Sequence, residues 1–186
     1  MRPDLLRRAQ RGDRDAFDLL ASELYHRLYA VGRRILRDGY AAEDAVQEAL
    51  IKGWRELPSL RDPTRFEAWM HRLLVNACHD QSRRSRRLQA FVTSIQLDRA
   101  DPADDFAAVA QRDELERAFL ELTVEQRAAL VLTHYLDMPA AEVGRVLGIP
   151  TGTVYSRLHY ALGNMRAALS REAADATANA MPGGGR

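Results

Sequence analysis

The sequence predicts an all-α protein made of two small helical domains joined by a flexible acidic linker, the second containing a helix-turn-helix. Three observations lead there. Ala, Leu and Arg are abundant, while the 11 glycines and 7 prolines gather in a few places. Apolar residues recur at spacings of three and four in two separate blocks, as amphipathic helices require. Between the blocks that periodicity lapses, and Asp98, Asp101, Pro102, Asp104 and Asp105 crowd together.

In the first block a short helix is expected near Pro3–Gln10. A second begins around residues 13–15 and carries Phe17, Leu20, Leu24, Leu28, Val31 and Ile35 on one face, with Gly39 expected to stop it. A third covers about residues 41–57, with Ala45, Val46, Ala49, Leu50, Trp54 and Leu57 as its apolar stripe. Pro58 and Pro63 bracket a loop. Thr64-x-x-Glu67 then reads as a capping box that opens a fourth helix, with Phe66, Trp69, Met70, Leu73, Leu74 and Ala77 inward.

Helices resume at Gln111. One holds Leu115, Phe119 and Leu122. Thr123-x-x-Gln126 is a second capping box, ahead of Ala129, Leu130, Leu132, Thr133 and Leu136. The strongest local signal spans residues 139–166. A helix over about 139–147 breaks at Gly148, and Pro150 cannot continue a helix interior. Thr151 is expected to cap a new helix over about 152–169, with Asp137 a candidate cap for the first. Val143, Leu147, Ile149, Val154 and Leu158 fill the angle between the two helices, so the second is free to enter a DNA major groove. Its polar face carries Thr153, Tyr155, Ser156, Arg157, His159 and Tyr160, which suit phosphates, base edges and thymine methyls. Residues 173–186, ending in Pro182 and three glycines, are expected to be disordered.

A chain of 186 residues can bury one good core or two small ones. Its formal charge is only +1, but residues 1–90 hold 18 Lys/Arg against 13 Asp/Glu, residues 91–125 hold 3 against 9, and residues 126–186 hold 6 against 4. Non-specific DNA affinity follows the number of phosphates neutralised, so a chain this close to neutral binds DNA weakly when alone. The single cysteine, Cys78, has no partner for an intramolecular disulfide and no zinc-ligand company; it is expected to be a small buried residue. Charges at Arg2, Asp4, Arg7 and Arg8 leave no room for a secretory signal, and no apolar run is long enough for membrane insertion, so a cytoplasmic protein is expected.

Larger patterns then add specificity. Residues 42–49 (Ala-Glu-Asp-Ala-Val-Gln-Glu-Ala), Trp54, Phe66-x-x-Trp69, Leu74-Val75-Asn76 and the Arg83-Arg84-Ser85-Arg86-Arg87 cluster resemble domain 2 of the extracytoplasmic-function sigma factors of RNA polymerase. Leu122-Thr123 with Gln126-Arg127, Leu136, Glu142-Val143, Leu147-Gly148, Gly152-Thr153-Val154 and residues 156–159 (Ser-Arg-Leu-His) resemble their domain 4. The resemblance covers about residues 5–170 outside the linker. It implies domain 2 over 1–87, a linker over 88–111, domain 4 over 112–172 and a tail over 173–186.

The resemblance implies a division of labour. Asp44, Gln47 and Glu48, which share one helix face, would dock on core RNA polymerase. Arg65, Phe66, Trp69, Arg72 and Asn76, with loop residues 59–62, would read the −10 element and hold the strands apart, because a flipped base needs an apolar pocket and polar edges. Arg83, Arg84, Arg86 and Arg87 would contact phosphates near the melted region. Thr151, Thr153, Tyr155, Ser156, Arg157, His159 and Tyr160 would read the −35 element. Position 155 is commonly Lys or Arg in the family and position 160 commonly Arg; Tyr at both removes charge from the groove face. Residues 98–105 would imitate nucleic acid near the RNA exit path. Partners implied are core RNA polymerase, promoter DNA and, as a candidate third, an anti-sigma protein of the kind that holds many relatives inactive.

Two other classes compete. A stand-alone helix-turn-helix regulator would bind duplex tightly without polymerase, usually as a dimer, but nothing resembles a dimerisation helix and domain 2 would have no purpose. A nucleic-acid hydrolase would need more convergent ligands than Asp44 with Glu48, or His79 with Asp80. The expectation is therefore a sigma factor that is not an enzyme and needs no metal or other cofactor.

Overall fold

The computed structural model describes the backbone of residues 2–95 and 110–179 and the side chains of residues 2–88 and 115–171. The acidic cluster at 98–105 and the chain end from residue 180 lie outside those. Every regular element among the described residues is a helix or helical turn.

Helix α1 (Pro3–Gln10) starts at a proline, whose missing N–H is no loss in a first turn, and buries Leu5, Leu6 and Ala9. Helix α2 (Arg14–Leu36) is capped by Asp13, whose Oδ1 accepts from the Ala16 N–H at 3.0 Å, and the six apolar residues of its expected stripe are all buried. Its end differs from expectation. Arg37, not Gly39, takes the left-handed conformation (φ 63°) and donates its N–H to the Arg33 carbonyl at 2.8 Å. Gly39 is instead the first residue of α3 (Gly39–Glu56), because Asp38 accepts from the Ala41 N–H at 3.0 Å and so starts that helix early.

Two 3-10 turns, Leu57–Ser59 and Pro63–Arg65, follow. Thr64 is not a cap. Pro63 opens the turn, so the residue before it, Asp62, becomes the cap and accepts from both the N–H and the hydroxyl of Thr64, at 3.0 and 2.6 Å. Glu67, the other half of the expected box, pairs with Arg27 across to α2 at 3.2 Å. Helix α4 then runs Phe66–Ile95, so residues 88–95, expected in the linker, continue the helix.

Helix α5 (Ala110–Leu120) leaves Leu115 half exposed at 51%, while Leu122 beyond its end is buried. The second capping box is present in full at α6 (Val124–Leu130): Thr123 Oγ1 accepts from the Gln126 N–H at 3.2 Å, and Gln126 Oε1 accepts from the Thr123 N–H at 3.0 Å. Such a cap is worth about 1 kcal/mol. A π turn, Val131–Tyr135, widens the chain path before α7 (Ala140–Leu147). No side chain caps α7; Asp137 sits at φ 50° and Pro139 precedes the helix. Helix α8 (Thr151–Asn179) begins at Thr151 itself, with the Pro150 carbonyl accepting from the Thr153 and Val154 N–H groups at 2.9 and 3.2 Å. It also takes in residues 173–179, expected to be disordered.

The two halves do not stand apart. Val131, Leu132, Val143, Val146 and Val154 from the second share one apolar cluster with α1–α4 of the first. Each such side chain, fully buried, is worth roughly 1.5–3 kcal/mol, which is what sets α6 and α7 against α2 and α4.

Candidate nucleic-acid interface

Three surfaces carry the residues singled out from the sequence. On α3, Asp44 and Gln47 are exposed and Glu48 is half-buried. Buried Ala45, Val46 and Ala49 pin the opposite side of the helix, so the three polar groups project as one strip. Glu48 lies 3.5 Å from Arg84 of α4, which ties this strip to the basic run. Arg83 pairs with Asp80 at 2.5 Å; Arg86 and Arg87 are exposed.

The second surface is the start of α4. Arg65 is exposed and held toward Asp62 at 3.3 Å. Trp69 is half-buried, and Arg72 and Asn76 are exposed. Spacings of four, three and four put Arg65, Trp69, Arg72 and Asn76 on one stripe. Phe66 faces inward, as its place in the apolar stripe predicts, and so departs from the base-reading role the resemblance implies. It is 1% exposed, with its ring 6.0 Å from that of Trp69, so it seats α4 in the core and is not placed to meet a base. Leu60 is half-buried, and its carbonyl accepts from Gln10 of α1 at 2.9 Å, which fixes the loop of residues 59–62. A groove of about 620 Å³ runs along this stripe; Trp69 and Arg72 line one wall, and Glu142, Arg145 and Val146 of α7 line the other.

The third surface is the first turns of α8. Gly148 makes the turn at φ 68°, and its neighbour Gly144 lets the chain pass, since a Cβ there would lie 2.8 Å from the Ile149 carbonyl oxygen. Val143 and Val154 close the angle at 0% exposure. Thr151, Tyr155, Ser156, His159 and Tyr160 are exposed, while Thr153 and Arg157 are half-buried. The Ser156 hydroxyl donates back to the Gly152 carbonyl at 3.1 Å, and His159 meets the Tyr160 ring edge-on at 5.8 Å.

Sequence reasoning missed the residues where the second and third surfaces approach. His79, one turn beyond Asn76, has a buried Nε2 with no hydrogen-bond partner. Burial holds its pKa below the usual imidazole value; Glu125 opposes this, and Arg157 and Arg83 add to it. Glu125 in turn stays below the usual carboxylate range, because hydrogen bonds to its own backbone N–H and the Thr123 hydroxyl, with His79 and Arg86 nearby, outweigh the effect of its burial. Arg127 is buried at 8% exposure. The sequence held two faint hints of these groups: His79 beside Asp80 as a conceivable ligand pair, and the Gln126-Arg127 pair, which carried the resemblance without a role.

Among the described residues no group of three or more His, Cys, Asp or Glu gathers as a metal site, and no helix is long and apolar enough to cross a membrane. Cys78 is buried, its thiol pushed up to about 12 by desolvation.

Comparison with known proteins identifies both halves of the chain. Sigma-70 region 2 matches residues 20–88, and Sigma-70 region 4 matches residues 112–165. The ECF RNA polymerase sigma factor SigM of Mycobacterium tuberculosis is 38% identical over 146 residues, covering 78% of this chain and 73% of that protein. The chain belongs to the ECF sigma factors.

The RNA polymerase sigma-H factor of Pseudomonas aeruginosa is 33% identical over 172 residues, covering 83% of this chain and 86% of that protein. CnrH, solved in complex with the cytosolic domain of CnrY, superposes with a TM-score of 0.63 at 25% identity, over 91% of this chain and 97% of that one. RpoE of Bartonella quintana, solved with the anti-sigma factor NepR, shares the fold at a TM-score of 0.62 and 22% identity, over 80% and 95% of the two chains. As an alternative sigma factor the protein binds core RNA polymerase, directs it to specific promoters and promotes strand opening. Its relatives are sigma factors rather than enzymes.

Proposed function

We propose that this sigma factor divides its work among the three surfaces. Asp44, Gln47 and Glu48 dock on core polymerase; Arg65, Trp69, Arg72 and Asn76 capture unstacked −10 bases; Thr151, Thr153, Tyr155, Ser156, Arg157, His159 and Tyr160 read the −35 duplex. The observation that carries this reading is the stripe from Arg65, in the turn before α4, to Asn76 on α4, where an aromatic ring lies between guanidinium and amide groups. Stacking on such a ring is worth about 1–3 kcal/mol per base, enough to offset part of the cost of opening the duplex. Arg83, Arg84, Arg86 and Arg87 extend the stripe as phosphate contacts. Phe66 supports the stripe from beneath.

No covalent chemistry is needed. Tethering two weak DNA-binding surfaces on one polymerase raises effective affinity without new contacts, which reconciles promoter reading with a net charge of +1. The reading places the factor in the cytoplasm, with core polymerase and the chromosome. An anti-sigma protein of the kind seen with RpoE of Bartonella quintana is its natural regulatory partner. The test is to mix the purified chain with core polymerase on genomic fragments. Promoter-specific transcripts that need both components are expected. Tight duplex binding by the chain alone, with no association with core, would establish a stand-alone regulator instead.

A further inference from the structure

The first three turns of α8 carry a narrow set of side chains. Residues 151–160 hold no Asn, Gln, Asp, Glu or Lys, and a single Arg, Arg157, which is half-buried. In a major groove, guanine is best met by Arg or Lys, adenine by Asn or Gln, and cytosine by Asp or Glu. Almost all of these are missing from the helix that follows the turn at Gly148. Asn164 and Arg166 come only in later turns, whereas a recognition helix reads base edges with its N-terminal residues.

What remains is aromatic. Tyr155 is 62% exposed and Tyr160 64%, while Val154 and Ala161 pin the opposite side of the helix in the core. Between the two tyrosines the solvent face is a stripe of small residues, Gly152, Ser156 and Gly163, broken by His159. The Ser156 hydroxyl is already engaged with the Gly152 carbonyl at 3.1 Å. A helix is about 10–12 Å across and the major groove about 12 Å wide, so a stripe this low lets the helix settle toward the groove floor. One tyrosine then stands on each shoulder. Tyr155, in the second turn, is the nearer to the bases; Tyr160, met edge-on by His159 at 5.8 Å, lies farther out.

We propose that Tyr155 is a thymine reader, its ring packing against C5 methyl groups in the −35 duplex, so that this promoter element is selected by apolar contact rather than by charge. The inference deepens the sigma reading above and rests on it. A thymine methyl is the one apolar substituent on the major-groove edge of the bases. A tyrosine ring offers it a broad apolar face, and the hydroxyl at the ring's polar end can donate to the thymine O4 beside the methyl. With a single arginine this stretch neutralises few phosphates. Affinity then comes from tethering on the polymerase, and selectivity from the ring.

The test uses the holoenzyme, formed from the full chain and core polymerase, on a promoter that it transcribes. In a second copy of that fragment every thymine of the −35 element is replaced by deoxyuridine, which keeps the base pair and lacks only the methyl. Wild-type holoenzyme should bind the uracil fragment more weakly, by roughly fourfold for each methyl that the ring buries. Tyr155→Phe keeps the ring and should keep this discrimination. Tyr155→Ala should bind the natural promoter more weakly and no longer tell the two fragments apart. Tyr155 is exposed, so neither variant disturbs the core. Equal binding of the two fragments by the wild type would overturn the inference and leave the sigma reading standing; a transcription defect in Tyr155→Ala would in that case place the ring on a protein partner. Discrimination that survives in Tyr155→Ala would also overturn it, since another group would then be the methyl reader. A chain that forms no promoter complex with core polymerase would overturn the sigma reading, and the inference with it.

Discussion

The Nε of Arg127 lies 2.6 Å from the carbonyl oxygen of Ile35, 92 residues earlier in the chain. The donor belongs to the half that matches Sigma-70 region 4 and the acceptor to the half that matches Sigma-70 region 2. Burying a guanidinium is costly, and desolvation holds its pKa below the usual arginine value. The geometry persists because the planar fork reaches three carbonyls at once, which an ammonium on a flexible stem cannot do. Arg127→Lys should therefore destabilise the protein by about 1–3 kcal/mol, the cost of leaving buried carbonyls unpaired, as read by urea denaturation. A midpoint equal to wild type would show that water or another donor replaces the fork.

The α3 strip gives a prediction about assembly rather than folding. Asp44 and Glu48 carry no part of the core, so reversing both to Lys should leave helical content unchanged while abolishing association with core polymerase. Normal co-purification would remove this strip from the docking surface. Arg84, which loses its Glu48 partner, should contribute little to any stability change, since exposed pairs are worth at most about 1 kcal/mol.

Arg157→Ala should weaken promoter binding by about 1–3 kcal/mol if its guanidinium meets a base edge. Quantitative footprinting of the holoenzyme is the measurement, and an unchanged −35 footprint would count against that contact.

The turn of the helix-turn-helix offers a steric test. A Cβ on residue 144 already approaches a backbone oxygen, so the branched side chain in Gly144→Val must push α8 away from α7. The expected cost is about 1–3 kcal/mol, with loss of −35 duplex binding. A crystal structure or denaturation curve matching wild type would show that the turn relaxes freely.

Stability should fall on mild acidification. His71 is 5% exposed, and its Nδ1 has no hydrogen-bond partner. Burial lowers its pKa, Glu67 opposes this, and Arg27 reinforces it. The unfolded chain therefore binds the proton more readily than the folded one. This contribution to stability is full above the ordinary value of 6.5 and declines as the pH drops toward the depressed folded value. His79 is shifted in the same direction by burial, with Arg157 and Arg83 adding to the shift and Glu125 and Asp80 opposing it. Thermal midpoints measured from pH 8 to pH 5 should fall, and His71→Leu should flatten part of the slope. A slope unchanged by that substitution would assign the proton uptake elsewhere.

Some of this was legible locally. The stripe from Phe17 to Ile35 is a period of 3.6 written in apolar residues, and all six are buried. The Thr123–Gln126 box formed, whereas the same pattern at Thr64–Glu67 did not, because Asp62 followed by Pro63 is the stronger start signal and claims the turn two residues earlier. The Gly148-Ile149-Pro150 break placed the helix-turn-helix within a residue or two at its start.

By itself the sequence determined most of the helices, their apolar faces and the two family regions. These depend on interactions within a few residues along the chain, where spacing and turn chemistry decide. Only the tertiary structure decided that Trp69, on the same expected apolar stripe as buried Phe66, stays partly accessible, that Arg127 leaves solvent to complete α2, and that the two halves share one seam. An amphipathic pattern says which face of a helix seeks burial but not which distant surface will bury it. For polar groups such as Arg127 and His79 the choice is made by neighbours far away in sequence.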